Sequence, residues 1–124
     1  MSDLWMVFDV ESIGLHGEGF AYGFIVVRSD GTLVAEGQAA CPTNTAHGDD
    51  EGRQWVTENC PILRATCPDP KDLRRLFWHY WMEWKEQHAE LIADCAWPVE
   101  ARFLAACVDD APDNPGRPWQ GPYP

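Results

Sequence analysis

The stretch Leu4-Trp5-Met6-Val7-Phe8-Asp9-Val10-Glu11-Ser12-Ile13-Gly14-Leu15 decides how this chain is read. Residues 4–8 are five apolar residues in a row, which predicts a strand buried on both faces. Side chains two apart on a strand point the same way. Asp9 and Glu11 therefore share one face at the end of that strand, with Val10 on the other. Their spacing along the strand is roughly 6.5–7 Å. At an effective dielectric of about 20, two such charges repel by roughly 2 kcal/mol. A divalent cation removes that repulsion, and two hard oxygen donors suit magnesium or manganese. The other reading ends the strand at Phe8 and leaves both acids solvated in a loop.

Working outward, residues 14–19 form a glycine-rich turn and residues 20–27 a second strand. Ser29-Asp30-Gly31 carries the Asp-Gly hairpin signal, and residues 32–39 follow as a third strand antiparallel to the second. The three make a meander. Residues 40–70 are irregular and polar, with a short helix opened by Asp49-Asp50-Glu51, running through Trp55 and Val56 and stopped before Pro61. Asp69 caps the next helix, Pro70 takes its first position, and Asp72 lies three residues after the cap. Leu73, Leu76, Phe77, Tyr80, Trp81 and Trp84 form one apolar face at helical spacing. Arg74 and Arg75 fall largely off that face. Trp78 and Met82 lie on its flank, suited to covering a sheet edge or meeting a partner.

Residues 90–94 read as a short buried strand closed by Asp94. Residues 98–107 read as a further helix with Val99, Phe103, Leu104 and Cys107 inward. Residues 109–124 carry five prolines and read as an extended tail. The whole is an α/β chain of a single domain over 1–124, with its core over about 3–108.

The bulk properties narrow the function. The chain has 124 residues, a net charge of −11 and 12 % aromatics including seven tryptophans, so it folds around a packed core. That charge excludes a generally basic nucleic-acid-binding surface. It favours short substrates over long polymers. The five cysteines form no C-x-x-C pair and no secretory leader opens the chain, so free thiols and a cytoplasmic location are expected. No apolar run is long enough to span a bilayer, so no membrane partner is expected.

The order strand, strand, strand, helix, strand, helix, together with Asp9-Val10-Glu11-Ser12-Ile13-Gly14-Leu15, resembles the DEDD (DnaQ-like) 3′–5′ exonuclease superfamily, which has a ribonuclease H-like fold with a mixed sheet. By that resemblance Asp9 and Glu11 are catalytic metal ligands. Leu15 wedges against the terminal base, and Ser12, Gly14 and His16 lie beside the substrate. The family's second motif places an acid three residues before Phe-Leu. Phe103-Leu104 are present here and Glu100 stands at that position, while Asp94 closes the preceding strand. Both are candidates for the third carboxylate. Asp94 also suits a helix cap, and Glu100 a first-turn acid favoured by the helix dipole.

The family's third motif, a late helix with a general-base His or Tyr and a final Asp, has no counterpart. No His follows Cys107 and Tyr123 has no Asp after it. The chain resembles a family member that lacks its last strand and helix. In the family, two Mg2+ or Mn2+ ions about 3.5–4 Å apart clamp the phosphate. A missing base lowers the rate by roughly 10²–10⁴. The resemblance thus implies an exonuclease acting on the 3′ end of single-stranded nucleic acid, short RNA favoured over DNA, or a chain inactive for want of its third motif. The alternative is a non-catalytic ribonuclease H-like binding or interaction module. A homodimer fits either, because an incomplete sheet edge invites pairing.

Overall fold

The computed structural model describes residues 3–110. Its elements in chain order are strands β1 (Leu4–Ser12), β2 (Gly19–Arg28) and β3 (Leu33–Ala40), a 3-10 turn (Thr43–Thr45), helices α1 (Asp50–Asn59) and α2 (Pro70–Glu86), strand β4 (Glu90–Ile92) and helix α3 (Val99–Asp110). The sheet order is β3-β2-β1-β4. The first three strands are an antiparallel meander and β4 runs parallel to β1. The architecture is α/β with one mixed sheet.

Local chemistry accounts for the boundaries. At the β2–β3 turn Gly31 takes a positive φ of 91°, which glycine adopts without strain. Arg28 N–H donates to Thr32 O there at 2.9 Å. Asp49 caps α1 by accepting from Gly52 N at 2.6 Å, and Asp69 caps α2 by accepting from Asp72 N at 2.9 Å. Each cap satisfies a helix N–H that would otherwise lack a partner.

The core lies on one face of the sheet. Leu4, Met6, Phe8 and Val10 of β1 and Tyr22, Phe24 and Val26 of β2 are buried there. Phe77 of α2 packs on Phe8 and Tyr22, with ring centroids 5.2 and 5.1 Å apart, and Phe103 of α3 lies 5.4 Å from Phe77. Burying side chains of this size stabilises by roughly 1.5–3 kcal/mol each.

Several expectations need correction. Strand β1 is not buried on both faces: Trp5 and Val7 are only half-buried and Asp9 and Glu11 are exposed. Helices α2 and α3 pack on the same side, so an apolar residue gains full burial only on that side. Strand β4 is three residues long, with Leu91 half-buried between exposed Glu90 and Ile92, because it is a sheet edge. Trp78 is buried in the core and presents no partner surface.

Arg74 is buried as well. Its Nη1 donates to Glu18 Oε2 at 2.7 Å, and its Nε to Asp110. The guanidinium thus ties α2 to the loop before β2 and to the end of α3. Helix α3 runs to Asp110, so Asp109 and Asp110 are helical and not part of a tail. The remainder of the expected tail, including Tyr123, lies outside the described residues. Among the described residues no helix is long and apolar enough to cross a membrane.

Candidate active site

Strand β1 outruns its parallel neighbour. Only Trp5, Met6 and Val7 pair with β4, so from Phe8 onward that side of β1 has no strand partner. The first turn of α3 fills the gap. Val10 N–H donates to Glu100 Oε2 at 3.0 Å, which satisfies a backbone donor that would otherwise be orphaned in a buried place. Glu100 is 5 % exposed. A carboxylate buried that deeply needs a partner, and one of its oxygens has one.

The Glu100 carboxylate also feels the charge of Asp9. Burial raises the Glu100 pKa above the ordinary value, the Asp9 carboxylate raises it further, and the Val10 N–H opposes both. Glu11 is also pushed up, first by loss of water around its carboxylate and then by the charges of Asp9 and Glu100. Three acids from two elements therefore act on one another at the carboxyl end of β1. Ligands of open α/β sheets bind outside the carboxyl ends of parallel strands, and this cluster stands at such a position.

Asp94 lies two residues beyond β4 in an exposed turn, so it neither closes that strand nor caps α3. It lines a depression of ≈ 860 Å³ over the open face of the sheet, together with Asp9, Glu11, Glu36 and Gln38. Glu100 is not among the lining residues. Of the two candidates for the third carboxylate, Glu100 is the one brought beside Asp9 and Val10. Asp94 lines the depression with Asp9 and Glu11.

The loop after β1 is held in place. Ser12 Oγ donates to Gly14 O at 2.6 Å, and Gly14 takes a positive φ of 74°. Ile13 is 1 % exposed and is gripped by glycines: a Cβ on Gly48 would lie 2.1 Å from Ile13 Cγ2. Glu18 N–H donates to His47 O at 2.7 Å, and His47 N–H donates back to Glu18 Oε1 at 3.0 Å. Leu15, 64 % exposed, and His16, also exposed, therefore project from an anchored loop next to the acids. His47, His79 and His88 are exposed too.

The sequence reading missed Glu36, Gln38, Gly23 and Leu63, all of which line the depression. The alternation Ala35-Glu36-Gly37-Gln38 carried a signal for the first two, since it aims two polar side chains to one face. Among the described residues no group of three or more His, Cys, Asp or Glu side chains is arranged to hold a metal ion. Compared with models of known families, with curated proteins and with solved structures, the chain matches none.

Proposed function

We propose that this chain is a ribonuclease H-like nuclease domain of the DEDD 3′–5′ exonuclease type, which hydrolyses phosphodiester bonds at the 3′ ends of short single strands with magnesium or manganese. The observation that carries this reading is the buried Glu100 carboxylate, held by Val10 N–H beside Asp9 at the end of β1. A neutral acceptor would serve Val10 N–H as well, and packing alone gives no reason to set a carboxylate beside Asp9 and Glu11.

The donor set is right in kind for the metal. Asp9, Glu11 and Glu100 offer hard carboxylate oxygens, which suit magnesium and manganese. Their mutual repulsion is what a cation relieves. No three of them yet surround one point. Closure rests on Glu11, whose side chain is exposed at the end of β1. Bound divalent ions supply charge neutralisation on the phosphate and an activated water.

The chain's own residues have separable roles. Val10 N–H occupies one Glu100 oxygen and so fixes which oxygen remains for the metal. Asp9 and Glu11 supply the other ligands. Leu15 and His16 meet the terminal nucleotide from the anchored loop. Asp94 lines the depression, and Glu100 is the third carboxylate. The net charge of −11 disfavours long polymers.

The rival, a non-catalytic binding module, draws on the unclosed ligand set. Cleavage of 5′-labelled single-stranded RNA and DNA with manganese separates the two. A 3′-shortening ladder that vanishes in Asp9→Ala supports the exonuclease. No ladder at any chain concentration, for RNA or DNA, supports the module.

A further inference from the structure

On the face of the sheet turned away from α2 and α3, two rows of residues cross all four strands. The pairing register sets Ile92, Val7, Ile25 and Glu36 in one row and Glu90, Trp5, Val27 and Leu33 in the next. Glu36 and Glu90 stand at opposite corners, and every other residue in the two rows is apolar. Leu33 is 54 % exposed, Ile25 40 % and Ile92 38 %, while Trp5, Val7 and Val27 are half-buried.

A single exposed apolar side chain needs no explanation, but a contiguous patch marks an interaction site. Sheets with two apolar faces are covered by helices on both. Here α2 and α3 both pack on the opposite face, through Phe77 against Phe8 and Phe103 against Tyr22. The patch is four strands wide, which is three strand spacings or roughly 14 Å. One helix with its side chains, about 10–12 Å across, fits that width.

We propose that this patch docks one positively charged amphipathic helix of a partner protein, its apolar stripe on Trp5, Val7, Ile25 and Val27 and its Lys or Arg side chains at Glu36 and Glu90. Charge selects this occupant over a second copy of the chain. The strand positions on this face carry Asp9, Glu11, Glu36 and Glu90, and no Lys, Arg or His. Arg28 of β2 pairs with Leu4 on the opposite face and bonds Asp3. Two copies meeting here would set acids against acids, each chain with a net charge of −11, and like-charge juxtaposition opposes docking. A cationic helix with apolar residues at i, i+3, i+4 and i+7 suits both the apolar centre and the acidic corners. The surface goes beyond the nuclease reading and does not depend on it, since neither row holds a proposed metal ligand.

The probe is a synthetic helix of about 14 residues, roughly 20 Å long, with Leu on one face and Lys on the other. A twin carries Glu in place of Lys. Fluorescence anisotropy of the labelled peptides measures their binding to the full chain. The expected result is binding of the Lys helix and none of its Glu twin. Ile25→Asp is the discriminating variant: it adds an acid, which strengthens any non-specific attraction for a cation, yet it puts a charge in the apolar seat. It should weaken binding of the Lys helix about tenfold or more. Ile92→Asp, on the three-residue edge strand, makes the same test should Ile25→Asp fail to fold. Ala105→Asp, exposed on α3, should leave binding intact. No binding of the Lys helix, equal binding of both peptides, or undiminished binding to Ile25→Asp and Ile92→Asp overturns the proposal. A wild type that sediments as a dimer, and as a monomer in Ile92→Asp, also overturns it, because a second copy then occupies the patch.

Discussion

Val10 and Glu100, 90 positions apart in the chain, are joined by a hydrogen bond of 3.0 Å from a backbone N–H to a buried carboxylate oxygen. That bond locks the first turn of α3 to the unpaired end of β1. It also holds a negative charge against Asp9 where burial alone would disfavour it. Stability and function pull in opposite directions at this point, and substitution separates them.

Glu100→Gln keeps an acceptor for Val10 and removes the repulsion. In EDTA we expect it to match or exceed the wild type in a denaturant titration, while losing any stabilisation by manganese. Glu100→Ala removes the acceptor and leaves a buried N–H unpaired, at a cost of about 1–3 kcal/mol. If the two variants were equally destabilised, the hydrogen bond would be irrelevant to the fold.

Arg74 spans Glu18 and Asp110, whose side chains are each 22 % exposed, with its own side chain at 10 %. Removing one partner of a buried charge network costs roughly 3–5 kcal/mol. Partial exposure of both acids puts Arg74→Met toward the low end of that range. Urea unfolding measures it, and a loss below about 1 kcal/mol, the worth of a surface ion pair, would show that the network is surface-like.

The loop carrying Leu15 and His16 depends on the space around Ile13. Gly48→Ala puts a methyl 2.1 Å from Ile13 Cγ2, so the loop or α1 must shift. Overpacking of this kind costs about 1–3 kcal/mol. Thermal melts should show the loss, and any substrate affinity should fall with it. Gly31→Ala tests the hairpin by a different route, through its φ of 91° and not through crowding.

Thiol labelling reports on the core. Burial raises the pKa of Cys41 and Cys107, so at mildly alkaline pH little thiolate forms at either. Cys95 is exposed. Iodoacetamide followed by mass spectrometry should modify Cys95 in the native chain and spare Cys41 and Cys107 until denaturant is added. Rapid native labelling of Cys107 would contradict the packing of α3 on α2.

Asp3 accepts hydrogen bonds from Ser29 and Arg28, and these hold its carboxyl below the ordinary aspartate value of 3.8. A lowered native pKa contributes stability above the unfolded value, and that contribution is lost as pH falls through the native one. The melting temperature of Asp3→Asn should therefore lie slightly below the wild type at neutral pH. The gap should close as pH drops well under 3.8. A gap independent of pH would remove the carboxylate from the account.

Elements marked by local chemistry were legible in the sequence. Asp49 and Asp69 announced their helices, Asp30-Gly31 its hairpin, and the break in the apolar run located Asp9 and Glu11. What remained hidden depends on distant residues. Trp5 and Val7 look as core-like as Met6 and Phe8, and only the seating of α2 and α3 on one side distinguishes them. Helical spacing places Arg74 off the apolar stripe, and it is buried because Glu18 and Asp110 arrive from other elements. The bond that sets Glu100 against the end of β1 spans 90 positions, which no local pattern contains.

The central claim is that Asp9, Glu11 and Glu100 together take up a divalent cation. The most direct test is a manganese titration followed by thermal unfolding of the wild type and Asp9→Ala. The account expects the wild type to gain stability with manganese, about 2.7 kcal/mol when the ion stands at 100 times its Kd. Asp9→Ala should gain nothing over the same range. Identical melting of both chains at every manganese concentration would contradict the claim.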